Sequence, residues 1–164
     1  MTREREERPI TQVLVELTSH CNYTCIFCPQ SIYRNANEGM APFDRAKGFM
    51  PFETYTRVIE EAADIAESIN FSFFGEPLLH PEIDRFLDYL ARVSERVALS
   101  MNTNLSLATR DTFQRFMDTP FDKLMFSIDA ASADVYDRVR PGKRFVDLDG
   151  NLGNGNRFEA ICEK

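Results

Sequence analysis

Three things are scarce in this 164-residue chain: long apolar runs, excess positive charge, and cysteine outside one short stretch. No apolar run approaches the roughly 18 residues needed to span a bilayer. The opening MTREREERP lacks the apolar stretch of a secretory signal, so the expectation is a cytoplasmic protein with no membrane partner. Nineteen Lys and Arg against 26 Asp and Glu leave a net charge of −7. A phosphate backbone calls for clustered cations, so nucleic acid is not an expected partner. Four cysteines, three of them within eight residues, do not make a disulfide framework. Clustered thiols suit metal ligation in a reducing compartment instead. What is present, 43% hydrophobic and 27% charged residues, is ordinary for one globular domain. A chain of this length buries about two thirds of the surface its unfolded form exposes.

The clustered cysteines are Cys21, Cys25 and Cys28, spaced C-x3-C-x2-C, with Cys162 far away. Thiolates bind iron–sulfur clusters or zinc, and a full set for either is usually four. Three ligands leave one metal corner open for a substrate or cofactor. The same positions are i, i+4 and i+7 and could line one helix face, but Asn22 and Thr24 are modest helix formers and Pro29 disfavours helical geometry at Cys28. A structural zinc site is a further alternative; it would need His20 or His80 as a fourth ligand.

The run from Cys21 to Cys28, with aromatic Phe27 before the third cysteine, resembles the cluster motif of the radical S-adenosylmethionine (radical SAM) enzymes. Three later segments fall where that family places cofactor contacts. Gly75-Glu76-Pro77 resembles a GGEP-like segment after the second strand, with Phe74 at its first glycine position. Asn102-Thr103-Asn104 resembles a Thr-Asn-Gly segment after the third strand, with Leu105 where glycine stands. SIDAASADVYDRVR resembles the segment after the fourth strand, where Ser127 and Arg140 match the family positions and Arg138 fits less well. The resemblance implies a [4Fe-4S] cluster on Cys21, Cys25 and Cys28 and bound S-adenosylmethionine. It implies cofactor contacts from Phe27, Gly75, Glu76, Pro77, Asn102, Ser127, Asp129 and Arg140. Glu76 would meet the methionine ammonium, Arg140 its carboxylate and Ser127 the nucleoside, while Asp129 would face the ribose or hold the turn. An arginine fork suits a carboxylate, and Gly75 would let the backbone approach the ligand. No catalytic side chain is assigned beyond the cluster. The implied reaction is reductive cleavage to a 5′-deoxyadenosyl radical that takes hydrogen from a peptide or small-molecule substrate. The electron would come from a donor such as flavodoxin or ferredoxin.

Periodicity supplies the scaffold. Residues 12–17 (QVLVEL) read as a strand buried on both faces, 69–74 (INFSFF) as a second, 97–101 as a third and 123–128 (KLMFSI) as a fourth. Between them lie a loop over 29–49 and helices from Pro51, over 81–94 and over 109–118, the last with Phe113, Phe116 and Met117 inward; another follows Ser132 to about Val139. Strand and helix alternate four times. That implies an α/β fold of parallel βα repeats forming part of an incomplete TIM-like barrel, where the family usually has six units. Residues 1–9 read as a disordered tail, 10–145 as the partial core and 146–164 as a flexible tail. Asp147, Asp149 and Asn151 imitate the start of a calcium loop, but Leu152 and Phe158 stand where Gly and Glu are required. A chain this short could also be a non-catalytic radical SAM remnant.

Overall fold

The computed structural model describes residues 9–32 and 46–142. The two tails, residues 33–45 of the expected loop, the calcium-like run and Cys162 lie outside the described residues. Strand β1 spans Ile10–Leu14 and the single turn α1 spans Pro29–Ile32. Helix α2 (Phe52–Ile65) runs into β2 (Ala66–Asn70), and a 3-10 turn at Pro77–Leu79 precedes α3 (Ile83–Leu90). Then follow β3 (Ala98–Thr103), α4 (Arg110–Asp118), β4 (Lys123–Phe126) and α5 (Ala133–Val139). The strands form one parallel sheet in the order β1-β2-β3-β4. Four parallel strands alternating with helices make this an α/β fold, as the repeats in the sequence imply.

Alternation along the strands divides the sheet into two faces. Ile69, Leu99 and Met101 point under the helices and are fully buried with Ile59, Phe86 and Leu90. Tyr55 belongs to the same core, with its ring 4.3 Å from that of Phe86 and its hydroxyl donating to the Phe86 carbonyl at 3.0 Å. The opposite face carries Ser68, Asn70, Ser100 and Asn102. On that side Asn70 Nδ2 donates to Ser100 Oγ at 3.0 Å and to Asn102 Oδ1 at 3.1 Å.

Several elements differ from the sequence expectation. The first strand begins at Ile10, and β1 is mostly exposed, because it is an edge strand and only β2 pairs with it among the described residues. Burial on that segment starts at Val15 and Leu17. The second strand starts at Ala66, directly after α2 with no connecting loop, so Ile65 is 42% exposed. It ends at Asn70 because Ser72 turns its amide to Asn70 Oδ1 (3.0 Å) and its hydroxyl to the Asn102 carbonyl (2.8 Å). These local bonds replace the ladder. The loop expected over 29–49 opens with α1, whose amides at Ser31 and Ile32 bond the Cys28 carbonyl. Helix α3 is shorter than the 81–94 pattern and continues as turns, and β4 stops at Phe126. Met117 is 52% exposed while Phe116 is buried, since α4 presents only a narrow stripe to the sheet. Ser132 precedes α5, but its side chain makes no capping bond.

Candidate cofactor site

The cysteine loop leaves β1 at the carboxyl end of the sheet, the end where parallel α/β folds collect ligands. Two backbone bonds tie it to the far end of the described chain: Thr24 N donates to the Pro141 carbonyl at 2.7 Å and Ile26 N to the Val139 carbonyl at 3.1 Å. Asn22 fastens the loop sideways, donating to Ser106 Oγ at 2.6 Å and accepting from Asn104 Nδ2 at 3.0 Å. Cys21, Cys25 and Cys28 are free thiols. All three line one cavity of about 170 Å³.

The rest of that cavity comes from the ends of the next three strands. After β2, residues 72–76 contribute, among them Gly75 and Glu76; β3 ends in Asn102 and Thr103, and Asn104 follows; Ser127 and Arg140 flank α5; and Phe27 and Tyr23 complete the wall. Of the residues the sequence singled out, Cys21, Cys25, Cys28, Phe27, Gly75, Glu76, Asn102, Ser127 and Arg140 are thus brought together. Pro77 and Asp129 do not line the cavity. Pro77 is buried at the start of the 3-10 turn, and Asp129 stands behind as the ion-pair partner of Arg140.

Gly75 has a reason beyond the one its position suggested. A Cβ there would lie 1.7 Å from the Thr18 carbonyl oxygen and 3.1 Å from that of His20. Glycine is needed here for the close approach of two backbone segments, and the residue also lines the cavity. The turn is also held by Glu16, whose Oε1 accepts from Phe74 N at 3.0 Å and Gly75 N at 2.9 Å, and by Glu76 N donating to the His20 carbonyl at 2.8 Å. Glu16 escaped sequence reasoning because a carboxylate inside an apolar strand carries no motif.

Glu76 is 3% exposed. Its Oε1 accepts from Thr103 Oγ1 (2.6 Å) and Leu78 N (3.1 Å), and its Oε2 from Asn104 N (2.7 Å). Burial pushes its carboxyl above the usual range, opposed by these donors. Thr103 and Asn104 therefore hold the Glu76 carboxylate, a role that only the folded chain makes visible. Leu105, where the family has glycine, sits at φ 59° and is buried. That left-handed conformation is one a glycine adopts freely and a leucine does not. Its amide bonds Thr103 Oγ1 at 3.1 Å, so the strained residue anchors the donors to Glu76.

Burial also raises the thiols of Cys21 and Cys25 above their ordinary value; the Arg140 charge opposes the shift at Cys25. The donor set is three soft thiol groups on one loop, facing one cavity. No group of three or more His, Cys, Asp or Glu among the described residues is gathered to hold a metal ion. A single zinc needs its ligands around one point with bonds of about 2.3 Å. An iron–sulfur cluster takes one soft sulfur donor per iron, and the three cysteines that line this cavity are donors of that chemistry.

A radical SAM superfamily model matches residues 15–150. The chain belongs to the radical SAM superfamily. It is 30% identical over 125 residues to the AdoMet-dependent heme synthase of Methanosarcina barkeri, a match covering 76% of this chain and 33% of the synthase. The fold is similar to that of BtrN solved with AdoMet and 2-DOIA (TM-score 0.64, 23% identity, 93% of this chain and 56% of that one). It is also similar to Streptococcus suis SuiB bound to the precursor peptide SuiA (TM-score 0.61, 19% identity, 85% and 29%). The chain thus spans about a third to a half of the length of these radical SAM relatives. Among the described residues no helix is long and apolar enough to cross a membrane.

Proposed function

We propose that this chain carries the cofactor half of a radical SAM enzyme, with Cys21, Cys25 and Cys28 as ligands of a [4Fe-4S] cluster and S-adenosylmethionine in the adjoining cavity. The observation that carries this reading is the convergence of the three thiols with Glu76, Asn102, Ser127 and Arg140 on one cavity at the carboxyl ends of four strands. When bound, the cluster and S-adenosylmethionine supply a 5′-deoxyadenosyl radical by one-electron cleavage; the protein's task is positioning. Glu76, fixed by Thr103 and Asn104, offers negative charge to the methionine ammonium. Arg140 offers the opposite charge to the carboxylate, its fork oriented by Asp129. Ser127 and Asn102 present hydrogen-bonding groups toward the nucleoside. Phe27 and Phe73, both about half exposed, form an apolar rim that limits water around the reacting atoms.

The substrate is a peptide or small molecule, by analogy with the neighbours solved with 2-DOIA and with a precursor peptide. The electron comes from a carrier such as flavodoxin or ferredoxin, and the thiol ligands suit the reducing cytoplasm. Anaerobic reconstitution tests the reading: the chain takes up about four irons with matching sulfide, as one cluster requires, and Cys25→Ala loses them. Uptake of zinc alone, with no iron, overturns it.

A further inference from the structure

Arg140 does more in this structure than face a ligand carboxylate. It is 8% exposed, and its guanidinium contacts Asp129, Phe27 and Cys25. Nε and Nη2 both bond Asp129 Oδ2. The group lies over the Phe27 ring, 5.4 Å from its centroid. Nη1 points at Cys25 Sγ across 3.7 Å. Cys25 is the one buried thiol of the three.

Their register is built into the backbone. Thr24 and Ile26, the residues on either side of Cys25, bond Pro141 and Val139, the residues on either side of Arg140. Two main-chain hydrogen bonds thus bracket the pair and hold Arg140 opposite Cys25, while Arg140 N caps α5 through the Tyr136 carbonyl at 2.8 Å. A side chain aligned in this way does not depend on a bound cofactor for its direction.

We propose that Arg140 is a positioning residue for the cluster's electronics: it donates a charge-assisted hydrogen bond to the Cys25 sulfur and so makes the cluster easier to reduce, while Asp129 tempers that effect. The inference rests on the cluster assignment proposed above. The step concerned is the uptake of one electron from a reductant by the oxidised cluster, with no bond broken and no proton moved. The added negative charge spreads onto the ligand sulfurs. A cationic donor at one of those sulfurs stabilises the reduced form more than the oxidised one, and hydrogen bonds and net charge near the sulfurs are known levers on such potentials. Asp129 binds the other side of the same guanidinium and offsets part of its field.

The two partners therefore act with opposite signs. In the reconstituted chain without S-adenosylmethionine, the midpoint is read by titrating with dithionite and following the reduced cluster by electron paramagnetic resonance. Arg140→Gln is expected to shift the reduction equilibrium about tenfold or more toward the oxidised cluster, equivalent to about 59 mV downward for one electron. Asp129→Asn is expected to shift it upward, and Arg140→Lys to fall between the parent and Arg140→Gln. Should Arg140→Gln fail to fold, the sign of the Asp129→Asn shift decides. A loaded parent with variants at unchanged midpoints, or with Asp129→Asn moving downward, overturns the inference and leaves the cluster assignment standing. A parent that takes up no iron and sulfide overturns both.

Discussion

Replacing Gly75 by alanine probes the contact on which the cavity's back wall depends. The new Cβ would stand 1.7 Å from the Thr18 carbonyl oxygen and 2.7 Å from its carbon, and both are backbone atoms with no rotamer to change. The two segments must part by more than about 1.3 Å to clear even 3.0 Å. Three hydrogen bonds cross that gap or hold the turn beside it: Phe74 N and Gly75 N to Glu16, and Glu76 N to the His20 carbonyl. Each contributes about 1 kcal/mol net, so their loss costs about 3 kcal/mol. Residual overpacking adds about 1–3 kcal/mol. A total of about 4 kcal/mol or more lies in the range reserved for severe, mechanism-specific destabilisation. Urea unfolding of the apo-protein followed by circular dichroism reads it directly. Gly48→Ala is the control, since nothing lies within 4 Å of its added Cβ. A Gly75→Ala midpoint within about 0.5 kcal/mol of the parent, in the range of surface substitutions, would refute the close approach and with it the placement of Glu76.

Leu105 gives a second test. Leu105→Ala and Leu105→Gly both lose the buried side chain, but only glycine relieves the φ of 59°. The glycine variant should therefore be the more stable by about 1 kcal/mol in the same unfolding assay. His80 accepts from Glu82 N through Nδ1 at 3.1 Å and bonds the Met50 carbonyl through Nε2 at 3.0 Å, so the ring is held neutral, and burial lowers its pKa below 6.5. A lowered folded-state pKa contributes stability that is present above 6.5 and lost as pH falls through the folded value. Unfolding measured from pH 7.5 down to about 5 should show a loss in the parent that His80→Gln lacks. Iodoacetamide alkylation of the apo-protein, mapped by mass spectrometry, should start at higher pH for Cys21 and Cys25 than for a free thiol, because burial disfavours both thiolates. Onset at the ordinary thiol pH would place both side chains in water.

The chemistry of the site was legible where it is local in sequence. Three thiols on one loop could be read from their spacing, Glu76 and Arg140 were singled out by the resemblance of their segments to the family's, and the fold follows from four alternations of strand and helix. What spans the sheet was not legible. The Glu76 carboxylate is fixed by Thr103 and Asn104, 27 and 28 residues away, and the Gly75 turn by Glu16 just after β1. None of these pairings leaves a periodic trace. The start of β2 was misplaced because α2 meets it without a turn residue, so the apolar pattern passed unbroken from one period to the other. Gly75 was legible as a glycine that matters, but its partner, the Thr18 carbonyl, is set only by the tertiary fold.

Anaerobic chromatography of 5′-deoxyadenosine tests the central claim most directly. The chain, reconstituted with iron and sulfide, reduced with dithionite and supplied with S-adenosylmethionine, is predicted to release 5′-deoxyadenosine slowly, while Cys25→Ala treated identically releases none. The two proteins giving equal signal would contradict the assignment of Cys21, Cys25 and Cys28 as the ligands on which the chemistry depends.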